Sequence, residues 1–178
     1  MRCFIFGTGR CGTVAIAQAF KNAINYTVAN ESLCSLLEYP DNHIEVNPQL
    51  RLRMDELVQK YPDAIFVWLK RNTKAVEKSY ANLDNKMWIE AWWSFNNKIR
   101  PTENTAAAVI AVRNIEKMCE DAWKTIKNKK CRSIKMDIDF IKNDFINLWN
   151  TLGCEGDLKS AINSLKVPVN TTAERNKY

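Results

Sequence analysis

The chain begins Met1-Arg-Cys-Phe-Ile-Phe-Gly-Thr-Gly-Arg-Cys-Gly-Thr-Val14, and this stretch decides the fold that we predict. The apolar run at residues 3–6 is typical of a short buried strand. Three glycines then fall within six positions. From Thr13 to Ile24, apolar residues recur at helical spacing. The pattern therefore predicts a strand, a glycine-rich loop and a helix.

The glycine-rich loop, residues 7–14, has the composition of an anion site. Glycines let a backbone turn tightly and approach a ligand closely. The unpaired amides at the start of a helix favour an anion, while Arg10 adds a charge and Thr13 a hydroxyl. The motif differs from a Walker A loop, because Thr13 follows Gly12 directly, without the lysine. A turn that only packs a helix on a sheet is the alternative interpretation. The candidate binding residues are Gly7, Thr8, Gly9, Arg10, Cys11, Gly12, Thr13 and Val14.

The rest of the chain alternates predicted strands with predicted helices. Strands are predicted at 26–28, 43–46, 64–69 and 131–136. Helices are predicted at 32–37, at 48–60, from a cap at Thr73, and at 86–97, 105–126, 141–152 and 158–165. This alternation predicts an α/β fold with a mainly parallel sheet. Because ligands bind beyond the carboxyl ends of parallel strands, we expect the loop, residues 45–47 and Arg71 to share one rim.

The composition bounds the class of protein. The chain has 178 residues, a formal net charge of +6 and six cysteines without a C-x-x-C pair. The length suits a single domain, and the cysteine spacing favours free thiols in a reducing compartment over a zinc site. The basic residues are spread out, so a nucleic-acid partner is not expected. The chain opens directly into a strand and has no apolar run of transmembrane length. We therefore expect a cytoplasmic protein without a membrane partner.

A second pattern involves Arg71 and Ser79, which are eight positions apart. Arg71 follows a predicted central strand, and Ser79 would lie about two turns into the next helix. An arginine fork and a hydroxyl can hold a phosphate together. Either residue taken alone is also compatible with an ordinary surface position.

Together the two patterns resemble the sulfotransferases that use 3′-phosphoadenosine 5′-phosphosulfate (PAPS). The loop of that family is similar to G-x-x-[KR]-x-G-[TS], which here is Gly7-Thr-Gly-Arg-Cys-Gly-Thr13. Its second motif is a strand that ends in Arg, with a Ser eight residues later, as in Arg71 and Ser79. Residues 61–66 and 136–140 also look like segments of the family.

The resemblance implies a single three-layer P-loop-type domain over residues 1–178, with helices flanking the sheet. It also implies that the loop holds the 5′-phosphosulfate, that Arg71 and Ser79 hold the 3′-phosphate, and that Arg10 binds the bridging oxygen. The reaction would transfer a sulfuryl group to a hydroxyl or amine of a small-molecule or glycan acceptor. Adenosine 3′,5′-bisphosphate (PAP) would be the product, and no metal is expected.

A base must accept the proton of the acceptor. The candidates are Glu45 and His43, which lie two apart on a predicted strand and so face the same side. Glu45 is favoured, because Glu45-Val-Asn47 resembles a segment of the members that use glutamate. His43 has the more suitable ordinary pKa. The alternative interpretation is that both residues lie at the surface.

The loop departs from the family pattern at three positions. Arg10 stands where lysine is frequent, Cys11 replaces Ser or Thr, and Val14 replaces a frequent second Thr. A thiol at Cys11 could be sensitive to oxidation. Near the end of the chain, Asn170 and Arg175 lie where members have a further nucleotide-binding loop, whose motif is not visible here.

Two other functions stay open from the sequence. The first is a P-loop kinase that uses ATP and Mg²⁺, although Asp137 and Asp139 have no obvious acidic partner. The second is a non-catalytic module that binds a nucleotide or polyanion through the same loop. Trp88, Trp92 and Trp93 could line an acceptor cleft, and core packing explains them equally well.

Overall fold

The computed structural model describes residues 1–32, 36–82 and 104–166. Its centre is a sheet of five strands that are all parallel, in the order β2-β3-β1-β4-β5. The strands are β1 (Arg2–Gly7), β2 (Thr27–Asn30), β3 (His43–Val46), β4 (Ile65–Lys70) and β5 (Arg132–Asp137). The predicted α/β fold with a parallel sheet is confirmed.

Six α-helices flank this sheet in the described ranges. They are α1 (Thr13–Phe20), α2 (Met54–Lys60), α3 (Thr73–Ala81), α4 (Asn104–Asn128), α5 (Ile141–Leu152) and α6 (Leu158–Ser164). Two short 3-10 helices, Pro48–Arg53 and Ile138–Phe140, lead into α2 and α5.

The central strand β1 separates two apolar layers. Phe4 and Phe6 pack on one face, in a cluster with residues of α2, α3 and α4. Cys3 and Ile5 pack on the other face, in a cluster with residues of α1, α5 and α6. Because successive side chains of a strand point to opposite faces, an apolar run is the sequence that a strand buried on both sides requires. The three-layer arrangement is therefore the direct result of the run at residues 3–6.

The order of the strands creates a crevice at the carboxyl end of β1. The chain leaves β1 through α1 toward β2, at one edge of the sheet, and leaves β4 through α3 and α4 toward β5, at the other. β1 and β4 are neighbours, so their loops diverge in opposite directions. Such a switch point is where open parallel sheets bind ligands. The glycine-rich loop and Arg71 are the segments that leave these two strands.

Several helix boundaries differ from the predicted ones for local reasons. Thr73 is the first residue of α3 and not its cap, because the side chain of Asn72 accepts the hydrogen bond from the Ala75 amide at 3.2 Å. The predicted helix at 48–60 is a 3-10 helix followed by α2. Gly153 ends α5 in the left-handed conformation, as predicted.

Some predictions fall outside the described residues. They are the helix at 86–97 with Trp88, Trp92 and Trp93, residues 33–35 of the helix at 32–37, and the tail with Asn170 and Arg175. The described residues of that second segment, 32, 36 and 37, are not helical, and Leu37 has a left-handed φ of 51°.

Candidate anion site at the carboxyl end of β1 and β4

The loop after β1 is shaped by backbone conformations that favour glycine. Gly9 and Gly12 have φ angles of 76° and 92°. A Cβ atom on Gly9 would lie 2.7 Å from the hydroxyl of Tyr80, and one on Gly12 would lie 2.7 Å from Ile138. Arg10 also has a left-handed φ of 53°, a conformation that costs free energy for a residue with a side chain. The chain therefore tolerates strain to place Arg10 in this loop.

The first turn of α1 is open to an anion. Its N-cap residue is Gly12, which has no side chain that could cap the helix, and no acidic residue lies in the first turn. The first intrahelical bond runs from the Ile16 amide to the Gly12 carbonyl at 3.1 Å. The amides of residues 13–15 come before that bond along the chain. They are therefore the donors that the start of an α-helix leaves without an intrahelical acceptor. Thr13 is buried at this point and carries the predicted hydroxyl.

The carbonyl groups of the loop accept hydrogen bonds from side chains, two from other elements and one from the loop itself. Arg51 donates from Nη1 to the Gly7 carbonyl at 3.3 Å, and the Tyr80 hydroxyl donates to the Thr8 carbonyl at 2.8 Å. The Thr8 hydroxyl donates to the Gly9 carbonyl at 2.9 Å. Carbonyl oxygens carry the partial negative charge that would repel an anion. Side-chain donors satisfy three of them in succession.

The second predicted motif meets the loop directly. Arg71 donates from Nη1 to the Arg10 carbonyl at 3.1 Å. Arg10 in turn donates from Nε to the Ser79 hydroxyl at 2.9 Å. The Nε atom of Arg71 is buried and has no hydrogen-bond partner among the described residues. A buried guanidinium donor without an acceptor is costly, and an anionic ligand would remove that cost.

The side chain of Arg10 reaches from the loop to α3. Its contact with Ser79 places it between the loop and α3. The sequence resemblance assigns Arg10 to the phosphosulfate and Ser79 to the 3′-phosphate. These two residues are in direct contact. One guanidinium with five donors can serve both neighbours.

Cys11 lies inside the loop and is fully buried. Burial raises the pKa of its thiol, although interactions with the Thr8 side chain and with the backbone of Gly9, Thr8 and Cys11 act in the opposite direction. A buried thiol with a raised pKa is a poor nucleophile. The geometry gives no support to the expectation that Cys11 is sensitive to oxidation.

Glu45 is a fully buried carboxylate on β3. Its Oε1 accepts the Ser32 amide at 3.0 Å, and its Oε2 accepts the Ser32 hydroxyl at 2.7 Å and His43 Nε2 at 3.4 Å. Burial acts to raise the pKa of Glu45, but the hydrogen bonds from His43 and Ser32 outweigh it, and the pKa lies below its ordinary value. The suggestion that Glu45 simply faces water is wrong.

His43 lies far from the loop. It is opposite Arg2 at the start of β1, five strand positions before Gly7, or about 16 Å at the usual rise per residue. It is buried, and its Nδ1 lies 2.8 Å from the Thr27 hydroxyl. With Nε2 donating to Glu45, Nδ1 accepts from Thr27, which assigns the tautomer from the partners. His43 and Glu45 do face the same side, as predicted.

Sequence reasoning missed Arg51, Tyr80 and Ser32. Arg51 sits in the Leu50-Arg-Leu-Arg53 run, where a helical pattern of period 3.6 gives no reason to bury one arginine and not the other. The 3-10 conformation of this segment, with its different period, buries Arg51. The spacing around Tyr80 does not distinguish it from an ordinary apolar position of the helix next to Ser79.

Two other kinds of feature, a metal site and a membrane-spanning helix, are not found in the described ranges. No group of three or more His, Cys, Asp or Glu side chains there could hold a metal ion. None of the helices in those ranges is both long enough and apolar enough to pass through a membrane.

Comparisons with known proteins gave no relative. No protein-family model, no curated protein and no solved structure matches this chain.

Proposed function

We propose that this protein binds PAPS and transfers its sulfuryl group to a hydroxyl or amine of an acceptor. The observation that carries the proposal is the meeting of two sequence motifs at one switch point. Arg71 Nη1 lies 3.1 Å from the Arg10 carbonyl, and Arg10 Nε lies 2.9 Å from the Ser79 hydroxyl. Two anion-binding groups, the α1 amides and the Arg71–Ser79 pair, are thus neighbours. A nucleotide with phosphates on both sides of its ribose has the charge distribution to occupy them.

In this proposal each phosphate has its own donors. The 5′-phosphosulfate lies at the start of α1, where the dipole and the uncapped amides favour negative charge. The 3′-phosphate takes the buried Nε donor of Arg71 and the hydroxyl of Ser79. Arg10 spans the gap between them.

The transfer step depends on stabilisation of the developing charge and not on a covalent intermediate with the protein. The acceptor oxygen or nitrogen bonds to sulfur while the bond from sulfur to the bridging oxygen breaks, and that electron pair stays on the 5′-phosphate of PAP. Arg10 and the loop amides would stabilise the charge that develops there. The acceptor proton passes to a base. Glu45 could accept it only after a rearrangement that exposed its carboxylate, because Glu45 has no exposed surface and is covered by Ser32. The proposal therefore depends on the anion sites and not on Glu45 or His43.

Calorimetric titration in EDTA with PAP, AMP and ATP tests the proposal. We expect the wild type to bind PAP at least about tenfold more tightly than AMP, since a charge-assisted hydrogen bond contributes about 1.5–3 kcal/mol. We expect Arg71→Ala to remove this preference while AMP binding falls by less than about threefold. Equal binding of PAP and AMP by the wild type would overturn the proposal.

Lys74→Ala is the matched control, because Lys74 is an exposed cation in the first turn of α3. It lowers the net charge by the same amount as Arg71→Ala. Loss of PAP preference in both variants would indicate non-specific attraction of polyanions, whose affinity also falls steeply with salt. Preference for ATP in the presence of Mg²⁺ would indicate a kinase.

A further inference from the structure

Arg51 is a buried arginine that lies directly beneath the glycine-rich loop. Only 7% of its surface is exposed. Its Nη1 donates to two carbonyl groups, that of Gly7 at the end of β1 and that of Pro48 in its own 3-10 helix. A chain seldom buries an arginine, because removing the charge from water is expensive. The position of this one, against the backbone of a candidate anion site, calls for a role.

We infer that Arg51 is a positioning residue of the anion site, which orients the loop and supplies positive charge from below. The inference rests on the proposed anion site but not on the identity of the nucleotide. It concerns any phosphate or sulfate group at the start of α1.

The geometry of the peptide groups is the first observation that supports this role of Arg51. In a planar trans peptide the carbonyl and the following N–H point in opposite directions. Arg51 fixes the Gly7 carbonyl, and Tyr80 fixes the Thr8 carbonyl from the same side of the sheet. Together they set the planes of the first two peptides of the loop. The third and fourth are set by Thr8 and by Arg71.

The second observation is the electrostatic effect of the buried Arg51 charge. Arg51 keeps its charge at every physiological pH. Burial lowers the pKa of its guanidinium, and nearby Cys119, Tyr80 and Cys11 act in the opposite direction. In a region of low effective dielectric constant a charge acts over a longer distance than at the surface, and salt screens it less. An anion on the solvent side of the loop is therefore attracted by Arg51 without touching it.

The third observation is the close packing of Tyr80 against Gly9. The Tyr80 hydroxyl occupies the space that a side chain at position 9 would need. Tyr80 is almost fully buried, so its hydroxyl cannot move aside cheaply. Arg51 and Tyr80 thus support the loop from beneath. Because the Tyr80 hydroxyl fills the space beside position 9, that position requires a residue without a side chain.

The test uses inorganic pyrophosphate and adenosine as probes, titrated into the full chain. Arg51→Gln keeps a hydrogen-bond donor and removes the charge. We expect it to bind pyrophosphate about tenfold or more weakly than the wild type, with the deficit persisting at high salt and with adenosine binding unchanged. Arg51→Lys keeps the charge but replaces the planar guanidinium by a compact ammonium on a flexible stem, which holds the Gly7 carbonyl less rigidly, so we expect an intermediate loss of about threefold.

Arg53→Gln is the matched control, since Arg53 lies two residues further on and pairs with Glu56 on the exposed side. We expect it to bind pyrophosphate like the wild type. Arg51→Gln with wild-type affinity for pyrophosphate, or with an equal loss for adenosine and pyrophosphate, would overturn the inference. If Arg51→Gln does not fold, Arg51→Lys decides: wild-type affinity in that variant would overturn it.

These outcomes are separate from those of the proposed function. A wild type that binds pyrophosphate but does not prefer PAP over AMP would reject the sulfotransferase proposal and leave the role of Arg51 standing. If the wild type bound neither pyrophosphate nor PAP, both the sulfotransferase proposal and the role of Arg51 would be overturned.

Discussion

At the scale of single residues, Glu45 is a buried carboxylate that is surrounded by hydrogen-bond donors. Its carboxylate has no exposed surface, and its two oxygens accept three hydrogen bonds from Ser32 and His43. A carboxylate that gains donors on folding has a lower pKa in the folded chain than in the unfolded one, as is the case for Glu45. Such a group contributes stability above the unfolded pKa, and this contribution is lost as the pH falls through the folded pKa.

Glu45→Gln should therefore destabilise the protein most at neutral pH. We expect a loss of about 1–3 kcal/mol in the free energy of unfolding at pH 7, because an amide accepts fewer of these bonds. The difference from the wild type should shrink as the pH is lowered from the ordinary glutamate pKa of about 4.3 through the lower pKa of the folded chain, where the wild-type carboxylate becomes protonated. Urea unfolding at a series of pH values measures both effects.

The control for Glu45 is Glu120→Gln on α4. Glu120 is exposed, and no ion pair of it is found in the part of the chain that the structure describes. We expect its substitution to change the free energy of unfolding by less than about 0.5 kcal/mol. An equal response of the two variants at pH 7 would contradict the role assigned to Ser32 and His43.

At the scale of elements, α3 links the candidate anion site to the rest of the sheet. It follows β4 directly and carries Ser79 and Tyr80, which reach Arg10 and the Thr8 carbonyl. It begins at a cap in which Asn72 accepts the Ala75 amide. The start of the helix therefore sets the positions of two side chains that lie about two turns later.

Asn72→Ala should destabilise the protein by about 1 kcal/mol, the usual contribution of an N-cap side chain. Asn72→Asp keeps the acceptor and adds a charge that favours the helix start, so we expect its stability to be close to that of the wild type. Thermal unfolding followed by circular dichroism measures the difference. The assignment of Asn72 as the cap would be wrong if Asn72→Ala were as stable as the wild type.

At the scale of the whole molecule, ligand binding and stability are linked. If the proposal is correct, PAP at about 100 times its dissociation constant stabilises the folded chain by about 2.7 kcal/mol. For a protein of this size that corresponds to a rise of about 5–10 °C in the melting temperature. Differential scanning fluorimetry with and without PAP measures the shift.

The same melting experiment tests the expected independence from metal. The proposed cations are Arg10 and Arg71, so we expect the shift with PAP to be the same in EDTA and in Mg²⁺. We expect Arg71→Ala to show a smaller shift. A shift that appears only with Mg²⁺ would contradict a site built from side-chain cations.

Much of the fold follows from local patterns in the sequence. The apolar run at residues 3–6 can be satisfied only by a strand buried on both faces, and the glycines after it permit the left-handed turns at Gly9 and Gly12. Gly153 ends α5 for the same reason. These features depend on neighbours within a few residues, which is why one sequence is enough to predict them.

The organisation of the site depends on contacts that local patterns do not contain. Arg51 and Gly7 are 44 positions apart, and Tyr80 and Thr8 are 72 apart. Whether Arg51 or Arg53 is buried depends on the 3-10 segment that follows Pro48, and the burial of Glu45 depends on Ser32. The sequence by itself determined the layers, the loop and the rim on which Arg71 lies. Only the tertiary structure decided which donors hold the loop, because strand register and the packing of α3 bring distant residues together.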